Sequence, residues 1–123
     1  MLFRSQRLHI RGRVTNASGR PVAGATLTVW QADGTGVYVP RYSGSLETGG
    51  DGGYTLITAL PGQYSGNKHI HIAVSHPDHI PIETEILFKG DNQTAGHDET
   101  IALEEANING ETVLLGRFDI RLP

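Results

Sequence analysis

Apolar residues alternate with polar ones in short runs along the whole chain, and glycine or proline separates most of these runs. In residues 7–15, Leu8, Ile10 and Val14 alternate with polar neighbours, which is typical of a strand buried on one face. Similar runs lie at 24–31, 53–58, 69–75, 83–88, 99–103 and 112–122. We therefore expect an all-β fold, a two-sheet β-sandwich of about seven to eight mostly antiparallel strands.

The segments between the runs carry turn chemistry. The sequence Asn16-Ala17-Ser18-Gly19 predicts a turn, which would join the first two runs as a hairpin. Helical periodicity is hard to sustain anywhere, although residues 103–107 could form one helical turn. The polar stretch 91–99 is the best candidate for a mobile loop.

Size, charge and composition exclude several classes of protein. With 123 residues the chain suits one domain, residues 1–123, because two domains would each be near the lower size limit for a stable core. A formal charge of −3, with scattered Lys and Arg, argues against a nucleic-acid partner. There is no membrane-spanning run, and the N-terminal segment lacks the apolar centre of a signal peptide, so we expect a cytoplasmic protein. Because the chain has no cysteine, any metal must be held by nitrogen and oxygen.

Two histidines form the first candidate metal-binding pair. His69 and His71 are two residues apart on an expected strand, so the pleat points both imidazoles to one face. Ile70, Ile72 and Val74 would then point to the opposite, apolar face. The spacing allows both rings to share a metal, but it also fits two polar residues on a solvated face.

Tyrosine could complete such a site. Tyr64 precedes His69 by five residues and follows a Pro-Gly turn, and a chain of that length spans at most about 17 Å. Tyr38, Tyr42 and Tyr54 are equally compatible with ordinary packing roles in strands or loops. Spacing alone does not choose among the four.

Several motifs in order give the chain a family resemblance. The segment GRVTNASGRPVAGATLTVWQADGTGVY resembles the opening of the catalytic core of the intradiol ring-cleavage dioxygenases, which includes protocatechuate 3,4-, catechol 1,2- and hydroxyquinol 1,2-dioxygenases. It is followed by DGGYTLITALPGQY, HIHI, ILFKGD and RFDIRL, each similar to the next segment of that core. The pieces GRVTNASGRPVAGATL, DGGYTL and LPGQY also occur together in β-sandwich modules that bind or brace rather than catalyse, whereas the combination VWQAD, GVY, PGQY and HIH is much more specific.

The resemblance implies a non-haem Fe(III) site. The metal ligands would be Tyr38, Tyr64, His69 and His71, completed by water or hydroxide. Two phenolates and a hydroxide neutralise a 3+ ion, which fits ferric iron. The substrates would be a catechol-type aromatic diol and dioxygen, and the product a muconate-type diacid. Tyr64 would leave the metal when the diol chelates it and act as a base, so we count it among the catalytic residues.

Two departures from the family pattern affect the charge around that site. The family usually has an arginine where this chain has Gly66, and a glutamine where it has Glu85. Lys68 or Arg41 could replace the missing cation, and we list both as candidate catalytic residues; both also fit solvated surface positions. We also expect the chain to lack the N-terminal segment that covers the site in this family, and hence to have a shallow cleft or one covered by a second subunit of a homo-oligomer.

A second functional class remains open from the sequence. A non-catalytic or weakly active β-sandwich binding or structural module would keep the fold and explain both departures. A transthyretin-like hydrolase fits the fold less well, because RFDIRLP lacks the ending typical of that group. Whether Glu85, Arg41, Lys68 or His79 reaches the site is a question of tertiary structure.

Overall fold

A computed structural model describes residues 7–32, 38–59, 69–88 and 100–123. For residues 31–32 and 38–43 it describes the backbone but not the side chains. Strands make up the regular structure of the described residues. Within these ranges there is no helix, and so none that could cross a membrane. The strands in chain order are β1 (Arg7–Thr15), β2 (Thr26–Ala32), β3 (Tyr38–Glu47), β4 (Gly53–Ala59), β5 (His69–His76), β6 (His79–Phe88), β7 (Thr100–Ile101), β8 (Glu104–Ile108), β9 (Glu111–Arg117) and β10 (Ile120–Arg121).

The strands form two five-stranded sheets, as the all-β prediction requires. In the first sheet the order is β10-β1-β9-β8, with β4 also paired to β1, and in the second it is β3-β2-β5-β6-β7. Antiparallel pairs outnumber parallel ones, which are β1 with β9, β1 with β10, and β6 with β7. The described strands exceed the expected seven or eight because two of them, β7 and β10, have only two residues each.

The hydrophobic core lies between the two sheets. The first sheet contributes Leu8, Ile10 and Val14 from β1, each fully buried. The second contributes Ile70 and Ile72 from β5, also fully buried. Since successive residues of a strand point to opposite faces, burying these positions sends their neighbours in sequence to the outer faces.

The expected hairpin between the first two strands is wrong. The turn itself forms as predicted, because the Asn16 side chain accepts a hydrogen bond from the main-chain N–H of Ser18 at 2.9 Å, and the Gly19 N–H donates to the Asn16 carbonyl. However, β1 pairs with β4 in the first sheet, and β2 belongs to the second. The turn therefore carries the chain from one sheet to the other, with a single bridge between Thr15 and Pro21.

The helical turn expected at 103–107 is also wrong, because residues 104–107 belong to strand β8 and Leu103 lies just before it. That strand pairs with β9 from Glu104 opposite Leu115 to Ile108 opposite Glu111. The two-residue turn between them, Asn109-Gly110, has positive φ angles of 52° and 83°. An Asn-Gly pair with this backbone is a strong hairpin signal, and the resulting interstrand hydrogen bonds override the local helical preference.

Several other strands also differ from the sequence prediction, and the run at 99–103 is reduced to β7, Thr100–Ile101. Strand β3 is not among the strands predicted from the sequence, because Pro40 and the glycines around it obscure the alternation. Among the described strands it pairs with β2 alone, at a sheet edge where proline is tolerated. Strand β6 begins at His79 rather than at 83. The run 112–122 divides into β9 and β10, because Asp119 turns its side chain to accept a hydrogen bond from the Arg13 N–H. The loop expected at 91–99 lies outside the described residues.

Candidate metal centre

His69 and His71 lie together on the outer face of the second sheet. The residues that alternate with them on β5, namely Ile70, Ile72 and Val74, are fully buried in the core, as the spacing predicted. The Nε2 atoms of the two histidines are 3.0 Å apart, and their ring planes are perpendicular with centroids 4.6 Å apart. Both Nε2 atoms therefore point to one place on that side of the sheet.

The two neighbouring strands place one residue on each side of His71. Trp30 of β2 and Glu85 of β6 are both Cα partners of His71 across the sheet. The Trp30 ring is stacked on the imidazole, with centroids 5.1 Å apart and planes within 8° of parallel. The Glu85 carboxylate lies 3.8 Å from Nδ1 of His71, the nitrogen that points away from His69. Register across three strands thus determines the surroundings of this ring.

The environment favours a neutral His71 imidazole. Burial lowers the pKa of His71, and the adjacent His69 lowers it further, while Glu85 and Glu83 act in the opposite direction. His69 is itself only 7% exposed. A neutral imidazole has an unprotonated nitrogen with a free lone pair, which is the form that binds a metal.

The histidine pair fits a shared metal ion. Imidazole nitrogens bind metals such as zinc at about 2.0–2.1 Å, so two nitrogens 3.0 Å apart are close enough to bind the same ion. Within the described ranges, no group of three or more His, Asp or Glu side chains could hold a metal. Further ligands would therefore have to be of another type, such as tyrosine, or come from outside those ranges.

The other predicted ligands and catalytic residues are only partly described. The backbone of Tyr38 begins β3 and is the Cα partner of Ala32 on β2, the strand next to β5. Arg41 also lies on β3, and its side chain is outside the description, as is that of Tyr38. Tyr64, Lys68 and Gly66 lie outside the described residues altogether. Their roles stay predictions.

His79 does not reach the histidine pair. It lies at the turn between β5 and β6, with its ring 5.1 Å from that of His76. His76 is occupied locally, since its Nδ1 accepts a hydrogen bond from the Asp78 N–H and its Nε2 lies 3.1 Å from the Ala23 carbonyl oxygen. His76 is five residues beyond His71 on β5, or roughly 16 Å along an extended strand.

Two residues that lie beside His71, Trp30 and Glu85, are not assigned a role by the sequence. Trp30 was quoted as part of the VWQAD motif but was given no role, and Glu85 was left open. The register of β2, β5 and β6 places both beside His71. A cleft of about 450 Å³ is lined by residues of β6, β7 and β10, and neither histidine lines it.

Comparison with curated proteins finds relatives that are named dioxygenases. A family model described as dioxygenase matches residues 4–122. A 6-chlorohydroxyquinol 1,2-dioxygenase of Cupriavidus pinatubonensis is 29% identical over 67% of this chain and 40% of the relative. A catechol 1,2-dioxygenase of Candida albicans is 30% identical over 63% of this chain and 35% of the relative. The chain thus spans about 40% or less of the length of these two relatives.

Solved structures show the same architecture. The dioxygenase domain of a dioxygenase and carbohydrate-binding protein fusion from Streptomyces sp. SirexAA-E superposes with a TM-score of 0.81 at 28% identity, over 97% of this chain and 80% of that one. The 3-chlorocatechol 1,2-dioxygenase of Rhodococcus opacus 1CP gives 0.89 at 20% identity, over 97% and 60%, a likeness of fold. Since the family model spans almost the whole β-sandwich and includes the histidine pair, the chain belongs to the intradiol ring-cleavage dioxygenase family.

Proposed function

We propose that this chain is the catalytic core of an Fe(III)-dependent enzyme that cleaves a catechol-type aromatic diol with dioxygen. The observation that carries the proposal is the 3.0 Å separation of the His69 and His71 Nε2 atoms on the outer face of β5. The names of the relatives, which include catechol, hydroxyquinol and protocatechuate dioxygenases, support an aromatic ring with adjacent hydroxyl groups as the substrate. Ring opening between those hydroxyls would give a muconate-type diacid containing both oxygen atoms of O2, so no external reductant is required.

Four side chains would hold the metal: Tyr38, Tyr64, His69 and His71. When bound, ferric iron would accept electron density from a chelated diol and make its ring reactive towards dioxygen. The two neutral imidazoles add no charge, so that the phenolates of Tyr38 and Tyr64 balance most of the charge of the ion. The sandwich contributes a rigid strand that holds both histidine nitrogens in place before any ligand arrives.

The remaining residues would accept a proton from the substrate and compensate its negative charge. Tyr64 would take a proton from a diol hydroxyl when the substrate chelates the metal. Lys68 or Arg41 would offset negative charge on the reacting ring, in place of the arginine for which this chain has Gly66. Trp30 covers one face of His71, and this contact limits rotation of the ring and the access of water to it.

Visible spectroscopy and oxygen uptake test the proposal together. Iron-loaded protein should absorb visible light through phenolate-to-iron charge transfer, and catechol should change that spectrum. Oxygen should be consumed one molecule per molecule of catechol, with a product heavier than catechol by one O2. A loaded protein that stays colourless, or a loss of catechol without oxygen uptake, would contradict the proposal.

Matched variants assign the ligands. His71→Gln should weaken iron binding and reduce the colour, whereas His79→Gln, at the far end of the same pair of strands, should leave both unchanged. Tyr64→Phe should weaken iron binding and shift the charge-transfer band. Coloured, iron-bound protein that consumes no oxygen with catechol or hydroxyquinol would instead support the non-catalytic alternative.

A further inference from the structure

His71 is confined from two sides by residues of neighbouring strands. Trp30 fixes the plane of the imidazole by stacking on it, with the two planes within 8° of parallel. A ring held in this plane can still place its proton on either nitrogen. The choice between the two tautomers depends on what each nitrogen faces.

The two nitrogens of His71 face different groups. Nε2 faces Nε2 of His69 at 3.0 Å, and Nδ1 faces a Glu85 carboxylate oxygen at 3.8 Å. A carboxylate can only accept a hydrogen bond, so it favours a proton on Nδ1. The Glu85 side chain is 48% exposed and has rotatable torsions, so it can close from 3.8 Å to hydrogen-bonding distance without moving the sheet.

We propose that Glu85 is a positioning residue for His71: its carboxylate holds the proton on Nδ1, which leaves Nε2 unprotonated and directed towards the metal. The role in metal binding rests on the proposed function, whereas the control of the tautomer does not. An anionic partner on the far nitrogen also makes an imidazole a stronger electron donor. Glu85 should therefore stabilise the 3+ state of a metal at this site relative to the 2+ state.

Glu83 provides a matched control on the same strand. It points to the same outer face of β6, two residues before Glu85, but its Cα partner on β5 is Ala73 rather than a histidine. Both glutamates are exposed, so substitutions at either position should leave the fold intact. Any effect of removing Glu85 that exceeds that of removing Glu83 reflects the contact with His71.

The first test needs no metal. Nitrogen NMR of the metal-free protein, at about pH 8 where a free imidazole is neutral, distinguishes a protonated Nδ1 from a protonated Nε2. The wild type and Glu83→Leu should show His71 protonated mainly on Nδ1, and Glu85→Leu should show a mixture of both tautomers. An unchanged His71 tautomer in Glu85→Leu, or the same change in Glu83→Leu, would overturn the proposal.

The second test uses iron-loaded protein. Glu85→Leu should lower iron affinity, measured by competition with a chelator, by about tenfold, as is usual for loss of a residue that orients a metal ligand. Glu85→Gln keeps an oxygen acceptor but removes the charge, so it should keep the tautomer and raise the Fe(III)/Fe(II) reduction potential. An unchanged potential in Glu85→Gln would refute the effect of charge. If the tautomer shifts as expected but no variant binds iron, Glu85 does position His71 and the proposed function is wrong.

Discussion

The hydroxyl of Tyr54 donates a hydrogen bond to the main-chain carbonyl of Phe118. This contact joins β4 to the segment between β9 and β10, on the opposite side of β1 from β4. Burial raises the pKa of Tyr54 well above its ordinary value, and the nearby Asp119 raises it further. The phenol therefore stays protonated and remains a hydrogen-bond donor, which makes Tyr54 a structural residue rather than a source of phenolate.

We expect Tyr54→Phe to destabilise the fold. The substitution keeps the buried ring but leaves the Phe118 carbonyl without the phenol, at a cost of about 1–3 kcal/mol in the free energy of unfolding. Urea denaturation followed by circular dichroism measures this quantity. Stability equal to that of the wild type would show that the hydrogen bond contributes nothing, and iron binding should be unchanged because Tyr54 is no ligand.

Gly12 makes the Tyr54 contact possible, so we expect Gly12→Ala to be severely destabilising. An added Cβ would overlap the Phe118 carbonyl oxygen and lie 2.8 Å from Cε1 of Tyr54. The backbone would have to move, at a cost of about 3 kcal/mol or more. Gly44→Ala is the control, because a Cβ there meets nothing within 4 Å. Equal melting temperatures for the two variants would contradict this account.

Two isoleucines, one buried and one exposed, show how much of the effect of a substitution on stability comes from burial rather than from residue type. Ile72 on β5 is fully buried between the sheets, whereas Ile57 on β4 is 61% exposed. We expect Ile72→Ala to lower the free energy of unfolding by about 2–5 kcal/mol, and Ile57→Ala by about 0.5 kcal/mol or less. Denaturant titration of both variants under the same conditions checks the difference. Similar losses would mean that the β5 face opposite the histidines is not a packed core.

Trp30 should report on metal binding by its fluorescence. It is the only tryptophan in the chain, and its ring is stacked on His71. Iron bound at this site should quench the emission in proportion to occupancy, and removal of iron by a chelator should restore it. The emission of His79→Gln should be quenched as in the wild type, whereas His71→Gln should require a higher iron concentration for the same quenching. Saturating iron without quenching would place the metal away from Trp30.

The sequence alone determined those features that depend on the order of neighbouring residues. The period of two along β5 placed His69 and His71 on one face and Ile70 and Ile72 on the other, because the pleat of a strand is a local property. The same alternation identified most strands and hence the all-β class. The family resemblance, supported by the match over residues 4–122, added the candidate ligands.

The pairing and the register of the strands depend on contacts between distant parts of the chain. The turn at Asn16 looked like a hairpin, but β1 and β2 lie in different sheets, since each finds its partners far along the chain. Residues 104–108 form a strand because their backbone pairs with β9 through interstrand hydrogen bonds. Trp30 and Glu85 flank His71 for the same reason: register between β2, β5 and β6 follows from burying the apolar face of each strand, and no local pattern encodes those cross-strand contacts.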